Sequence, residues 1–255
     1  MVLFLLTQVV VMQFGLPTQV AIIISQLVAI LGGAYVYRKK FALHDTKWPT
    51  LGKLGMSPKA LVVVLGASIS LGFLANVVGA FTLQLFPGFA EMARSYQEQI
   101  EVIMLPEALW GQVLGAVAVA VVAPIAEEYL FRGTILAEQR RSQLAVGAIL
   151  LNGVLFSAMH LNPVAFLSLT IVGCYFAHIT VRSDALWGAV LGHGILNLVN
   201  GVILIRVAGD LGSPDDITWT EVGIGLALLV PLTSLLWWWS IKLIRQSKSG
   251  ADDHS

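Results

Sequence analysis

The sequence predicts an all-α polytopic membrane protein in which seven to eight transmembrane helices surround a cavity within the bilayer. Of its 255 residues, 57% are hydrophobic and only 12% are charged, and the mean hydropathy is +0.82. Soluble domains carry about 25% charged residues. Apolar runs long enough to cross a bilayer recur along the chain, and the basic residues fall in alternate loops. These observations predict an integral, multi-pass protein whose partners include membrane lipids and no nucleic acid.

Seven apolar runs predict spans, which are Gln19–Tyr37, Ala60–Phe86, Ala108–Ala137, Leu144–His160, Val164–Val181, Ala185–Ile205 and Glu221–Ile241. Val2–Phe14 is shorter, ends at Gly15-Leu16-Pro17 and would add an eighth span. The acidic segment Phe89–Glu107 predicts a partly helical surface stretch, and Glu138–Ser142 predicts a short charged turn. We divide the chain into N-terminal helices (1–107), a core (108–205), and an outer loop with the last span and tail (206–255), all forming one integrated membrane domain.

The distribution of Lys and Arg predicts the orientation. We take successive loops to lie on alternate sides of the membrane, with the 38–59 loop in the cytoplasm. Only Arg94 and Arg206 then fall outside, and Arg132, within a span, belongs to neither side. Twelve basic residues fall inside: Arg38, Lys39, Lys40, Lys47, Lys53, Lys59, Arg140, Arg141, Arg182, Lys242, Arg245 and Lys248. This bias predicts cytoplasmic basic loops, and in a prokaryote the location would be the plasma (inner) membrane.

The third apolar run contains three charged residues, Glu127, Glu128 and Arg132. Each charge near the bilayer centre costs about 2.5–3.5 kcal/mol on insertion-derived scales, so such residues usually face an interior or a cavity. Glu128 and Arg132 are four positions apart and can pair on one helix face. Glu127 is rotated by about 100° and is free to face a cavity. A purely structural ion pair is the alternative role, particularly for Glu128 and Arg132.

Two further apolar runs contain histidines. His160 ends one run, where an interfacial or hydrogen-bonding role is the alternative to catalysis. His193 and Asn197 are four residues apart and project from one helix face. Gly192 and Gly194 flank His193 and permit close approach of another helix.

Other polar residues in the spans predict structural roles. His178 has Arg182 one turn away, which suggests an interhelical hydrogen bond or a helix-end position. We expect Cys174 to act as a small buried apolar residue. Because it is the single cysteine of the chain, an intramolecular disulfide is excluded. Asn200 could share the face of His193 as a weak supporting residue. Three asparagines predict interhelical hydrogen bonds: Asn76, Asn152 and Asn200.

The polar groups allow more than one chemistry. A carboxylate and a histidine can activate a water molecule, while a second histidine and an amide stabilise an oxyanion. Alternatively, two histidines and a glutamate can bind zinc and leave a position for water. A proton relay in a carrier and a non-catalytic membrane scaffold are further alternatives. The sequence contains no Gly-x-Ser-x-Gly, Gly-x-Gly-Asp or His-Glu-x-x-His motif, which disfavours other intramembrane protease classes.

Glu-Glu-x-x-x-Arg, Phe-x-x-x-His and His-x-x-x-Asn, in that order on separate apolar segments, resemble the motifs of the type II CAAX prenyl endopeptidase family. Its bacterial members are called CPBP intramembrane proteases. The resemblance implies an eight-helix intramembrane endopeptidase with a catalytic cavity open to the cytosol. Glu127 would activate water with His160 as its partner, and His193 and Asn197 would form the oxyanion site. Glu128 and Arg132 would support them.

The resemblance also bears on cofactors and substrates. A metal-free mechanism is favoured, because Asn197 beside His193 suits an oxyanion better than zinc; a zinc ion would be bound by Glu127, His160 and His193. Eukaryotic members trim prenylated C-termini, and bacterial relatives are linked with bacteriocin maturation and self-immunity. We therefore expect the partner to be a peptide or protein C-terminal tail, prenylated or not, that enters from the cytosol.

Overall fold

The computed structural model describes residues 7, 9, 11, 13–41, 49, 51–204 and 217–252, and no β-strand occurs in these ranges. The helices are α1 (Thr18–Lys40), α2 (Pro58–Leu85), α3 (Ala90–Met104), α4 (Leu109–Ser142), α5 (Ala145–Met159), α6 (Phe166–Ser183), α7 (Trp187–Leu198, continued by a π-helical segment, Val199–Leu204) and α8 (Trp219–Asp252). The prediction of an all-α polytopic membrane protein is confirmed.

Five of these helices are long and apolar enough to cross a membrane: α1, α2, α4, α6 and α8. Helix α5 has 15 residues and spans about 22 Å, which is less than a full hydrocarbon core. The expected total of seven to eight spans stays a prediction. The candidate span Val2–Phe14 lies largely outside the described residues.

Local chemistry explains where several helices begin and end. Ser57 caps α2 by accepting a hydrogen bond from the Ala60 backbone N–H at 3.2 Å, and Pro58 occupies the first helical position. Asp184 ends α6 in the left-handed conformation. The predicted turn at Glu138–Ser142 is wrong, because these residues form the last turns of α4. The pair of Glu138 and Arg141, at 3.5 Å, is an (i, i+3) contact that favours helix continuation.

Helix α2 packs against α8, α7 and α6, and α5 packs against α6. The last contact depends on two glycines. A Cβ atom on Gly153 would lie 2.5 Å from Cys174 Sγ, and one on Gly173 would lie 2.7 Å from Gly153 Cα. Cys174 is buried with its Sγ near the Ile149 carbonyl, as expected for a small buried residue.

The basic segments meet at one end of the helical bundle. Lys53 Nζ lies 3.9 Å from the Asp184 carboxylate, and the Ser57 backbone N–H donates to Ser247 Oγ. At the opposite end, Gln19 of α1 donates to the carbonyl of Ile103 in α3 at 3.0 Å. The segments rich in Lys and Arg thus lie at one end of the bundle and the acidic helix α3 lies at the other, which agrees with the predicted topology. The side of the membrane to which each end belongs stays a prediction.

Candidate active site

The Glu-Glu-x-x-x-Arg motif lies where α4 departs from regular α-helical geometry. Two π-helical segments, Ala118–Val122 and Phe131–Ile135, flank it. Pro124 stands between them and lacks a backbone N–H, which leaves a carbonyl of the preceding turn without its helical donor. Short π-helical segments frequently mark functional sites. The motif therefore lies in an irregular part of α4, between two π-helical segments.

Helix α7 docks on this irregular part of α4. Asn197 Nδ2 donates to the Val119 carbonyl oxygen at 2.9 Å. Val119 lies five residues before Pro124, so the Asn197 amide supplies a donor to a carbonyl in the turn that precedes the proline. A Cβ atom on Gly194 would lie 2.7 Å from the Ala120 carbonyl oxygen, so only glycine fits there. The predicted role of Gly194 in close helix approach is confirmed. Asn197 is half-buried, and its amide donates one N–H to Val119.

Glu128, Arg132 and His193 form a buried polar cluster. Glu128 Oε1 accepts from Arg132 Nη1 and lies against His193 Nδ1, each at 2.9 Å. Arg132 Nη2 also donates to the Gly173 carbonyl at 3.0 Å. Glu128 and Arg132 are completely buried, and His193 is 4% exposed. The predicted pairing of Glu128 with Arg132 is confirmed, and Glu128 additionally orients His193.

Phe156 connects this cluster to the second histidine. Its ring centroid lies 5.7 Å from that of His193 and 4.8 Å from that of His160. The Arg132 guanidinium lies 4.6 Å from the Phe156 centroid, within cation–π range. The Phe176 ring also stacks on the His193 ring, with a centroid distance of 5.6 Å. These buried aromatic side chains exclude water from the Glu128–Arg132 pair and fix the orientation of the His193 ring.

Glu127 is half-buried and has a different partner. Its Oε1 accepts a hydrogen bond from Gln26 Nε2 of α1 at 3.0 Å. Gln26 is only 6% exposed, begins the π-helical segment Gln26–Gly32, and leaves its own Oε1 buried without a partner among the described residues. Glu127 and Glu128 thus have different partners, and the facing of Glu127 toward a cavity stays a prediction.

His160 follows the last residue of α5 and is half-buried. Its Nδ1 lies 2.8 Å from the Phe156 carbonyl oxygen. A carbonyl accepts only, so the proton must be on Nδ1, and Nε2 of the neutral ring is left as an acceptor. This tautomer suits acceptance of a proton from water. No direct hydrogen bond joins His160 to Glu127 among the described contacts, so their partnership stays a prediction.

The motif residues divide into two groups by exposure. Glu127, His160 and Asn197 are half-buried, whereas Glu128, Arg132 and His193 are buried. The first group is partly exposed at the surface, and the second group forms the buried polar cluster.

The zinc arrangement does not fit this geometry. No group of three or more His, Cys, Asp or Glu side chains placed to bind a metal ion occurs in the described ranges. Within these ranges, Glu127, His160 and His193 are therefore not grouped as a metal site.

Two residues near Glu127 were not singled out from the sequence. Gln26 is one, and the only signal for it is an amide inside an apolar run. The other is Tyr96 of α3, whose side chain is 41% exposed. Partial desolvation raises the pKa of the Tyr96 phenol, and the negative charge of Glu127 raises it further. Tyr96 therefore stays uncharged near neutral pH.

The remaining polar residues have structural contacts. The Trp237 indole N–H lies 3.1 Å from His178 Nδ1, which confirms an interhelical role for His178. Asn152 donates to the Phe131 carbonyl. Asn200 contacts Asn76 and the Gly72 carbonyl rather than the site, so its expected supporting role beside His193 is wrong.

Comparison with known proteins identifies a matching family. Residues 109–199 match the family described as Type II CAAX prenyl endopeptidase Rce1-like. This range contains all three motifs, from Glu127 to Asn197, so the resemblance seen in the sequence is confirmed for this domain. No curated protein and no solved structure matches the chain.

Proposed function

We propose that this multi-pass membrane protein, which carries an Rce1-like domain over residues 109–199, is an intramembrane endopeptidase. Its substrate would be a membrane-associated protein or peptide, cleaved near the C-terminus. One observation carries this proposal: Glu128 is engaged by Arg132 and His193, while Glu127 remains accessible beside it. A purely structural ion pair would explain why Glu128 lies in the span. It would not explain why Glu127, a second carboxylate, lies next to it.

In the proposed reaction, Glu127 removes a proton from a water molecule that His160 Nε2 helps to orient. The water oxygen attacks the peptide carbonyl carbon, and the electron pair of the C=O bond moves to the oxygen. When His193 holds a proton on each nitrogen, Nδ1–H donates to Glu128 and Nε2–H can donate to the oxyanion. The free N–H of Asn197 is the second oxyanion donor. Glu127 then gives its proton to the leaving amine nitrogen as the C–N bond breaks.

A cleft between α1 and α4 supports a substrate with an apolar tail. Its volume is about 420 Å³, which falls within the usual range of ligand sites. The lining is mainly apolar and includes Met159, the residue directly before His160. Glu138 and Gln139 line the cleft toward the end of α4 that the sequence predicts to be cytoplasmic. A lipid-modified or apolar C-terminal tail could lie here, with its peptide bond near the motif residues.

The test is cleavage of a fluorogenic farnesylated CAAX peptide by the purified full chain, with and without a chelator, beside Glu127→Gln. Cleavage that survives chelation and is lost in Glu127→Gln would support the proposed mechanism. Loss of cleavage on chelation, with recovery on adding zinc, would contradict it. Failure to cleave this peptide and every member of a library of unmodified and prenylated peptides would favour a non-catalytic membrane scaffold.

A further inference from the structure

A second cleft, of about 510 Å³, lies between α6 and α8 at the basic end of the bundle. His178 of α6 and Trp237, Trp238, Lys242 and Arg245 of α8 contribute to its lining. None of the seven motif residues lines it. The proposed peptidase reaction gives this cleft no role.

The cleft has an excess of positive charge. Lys242 and Arg245 line it, and Arg182 lies beside it, bonded to His178. Arg182 and Arg245 are close enough for their like charges to repel. Within the described part of the chain, no carboxylate lies within ion-pair distance of any of these three cations, and the lining contains no acidic residue. Among the described residues, these positive charges are therefore not balanced by an ion pair.

The hydrogen-bonding groups show a matching excess of donors. Arg182 Nε lies 3.2 Å from His178 Nε2, and Trp237 Nε1 lies 3.1 Å from His178 Nδ1. A neutral imidazole accepts at only one nitrogen, so these two donors cannot both be satisfied by His178. At least one N–H at this position needs another acceptor. The oxygen atoms of an anion would supply both the acceptor and the negative charge.

The surroundings favour a lipid over a small anion in water. Helix α8 exposes large apolar side chains, with Leu235 57% and Trp238 58% exposed. Lys242 Nζ lies 5.0 Å from the Trp238 ring centroid, so an ammonium and an aromatic face share one edge of the cleft. Tryptophan is enriched where helices meet the membrane interface. Acyl chains could follow the apolar surface of α8 while a headgroup enters the cleft.

We propose that this cleft binds the phosphate of an anionic phospholipid, with Lys242 and Arg245 as its main charged contacts and Arg182 behind them. The site is separate from the proposed peptidase centre. It does not depend on that proposal.

The experiment is native mass spectrometry of the full chain in detergent, with phosphatidylglycerol or phosphatidylcholine added at equal concentration. The test variant is Lys242→Gln with Arg245→Gln. The matched control is Lys40→Gln with Arg140→Gln, which removes the same charge from exposed positions near the same end. Circular dichroism and gel filtration establish that both variants are folded.

We expect the wild type and the control to retain phosphatidylglycerol in preference to phosphatidylcholine. The test variant should lose roughly thirty-fold in affinity for phosphatidylglycerol, because each basic residue contributes about fivefold near an acidic lipid. An equal loss in test and control variants would overturn the proposal, since it would reflect net charge alone. Complete displacement of the lipid by excess inorganic phosphate would also overturn it and indicate a site for free anions. An intermediate loss of affinity for phosphatidylglycerol in the single variant Lys242→Gln would support the proposal.

Discussion

The side-chain amide of Gln26 donates to the carboxylate of Glu127 at 3.0 Å and links α1 to α4 across 101 positions of sequence. Gln26 lies outside residues 109–199, the range of the family match. The accessible glutamate of the motif is therefore positioned by a helix that the family match does not include.

Replacing Gln26 with Met should lower kcat by about ten- to a hundred-fold and leave KM nearly unchanged, because a hydrogen bond to a charged group contributes about 1.5–3 kcal/mol. The melting temperature should change little, since Met also removes the unpartnered buried Oε1 of Gln26. Steady-state kinetics and thermal melts measure the two effects.

The matched control is Gln19→Met. Gln19 lies on the same helix, is 5% exposed, and donates to backbone carbonyls of α3 rather than to the site. This variant should lose stability and keep its kcat. If both substitutions lower kcat equally, the effect comes from α1 packing and not from orientation of Glu127.

Glu127→Gln should reduce peptide cleavage by roughly 10²–10⁴-fold, the usual contribution of a general base. The fold should persist, since Gln can still contact Gln26 through its amide oxygen. The control is Glu101→Gln, which alters another glutamate that accepts from a glutamine, Gln97, on α3. Full turnover by Glu127→Gln would refute the proposed role of Glu127.

Glu128→Gln should lower both stability and activity. Breaking one side of a buried ion pair costs about 3–5 kcal/mol, and His193 loses its carboxylate partner as well. The informative variant combines Glu128→Gln with Arg132→Met, which removes the unpaired buried cation. We expect its melting temperature to recover substantially while cleavage stays low. Recovery of cleavage in the double variant would show that Glu128 acts only through stability.

Asn197→Ala should lose activity and about 1 kcal/mol of stability, the usual worth of a hydrogen bond. The stability loss arises because Val119 loses its donor next to Pro124. In a Pro124→Ala background, the restored backbone N–H can bond a preceding carbonyl, so the same substitution should cost less stability. The activity loss should persist. A double-mutant cycle with parallel melts and kinetics measures both, and restored activity would leave Asn197 with a structural role only.

The Tyr96 phenol predicts a pH dependence of stability. Its pKa in the folded protein is raised above the usual 10 by desolvation and by Glu127. The folded state therefore holds the phenol proton more tightly than the unfolded chain does. The resulting contribution to the free energy of unfolding is constant at neutral pH and is lost as pH rises above about 10. Thermal melts between neutral and alkaline pH should show a steeper alkaline decline in the wild type than in Tyr96→Phe. Parallel curves would contradict the prediction.

The sequence is informative where interacting residues lie close along one helix. The pair of Glu128 and Arg132 follows from its four-residue spacing, and the exposure of Glu127 follows from the rotation between neighbours. The contact of Glu128 with His193 spans 65 positions, and no periodicity predicts it. Gln26 belongs to no motif, so only the packing of α1 on α4 identifies it. The sequence predicts a turn at Glu138–Ser142, where the structure has a helix, because a charged run at a helix end has the same composition as a loop.

The Gln26–Glu127 hydrogen bond also suggests an order of events during biosynthesis. Chains emerge from the ribosome with the N-terminus first, so α1 is made before α4. Arg132 can neutralise Glu128 as soon as α4 coils, because both lie on the same helix. Glu127 has no such partner within α4, and its unpaired charge would be costly in lipid. With α1 already made, the amide of Gln26 is available when Glu127 arrives, whereas His193 reaches Glu128 only after two further helices have been synthesised. Polypeptides that lack α1 should therefore insert the glutamate equivalent to Glu127, the first of the Glu-Glu pair, without its donor, even when the three motifs are intact.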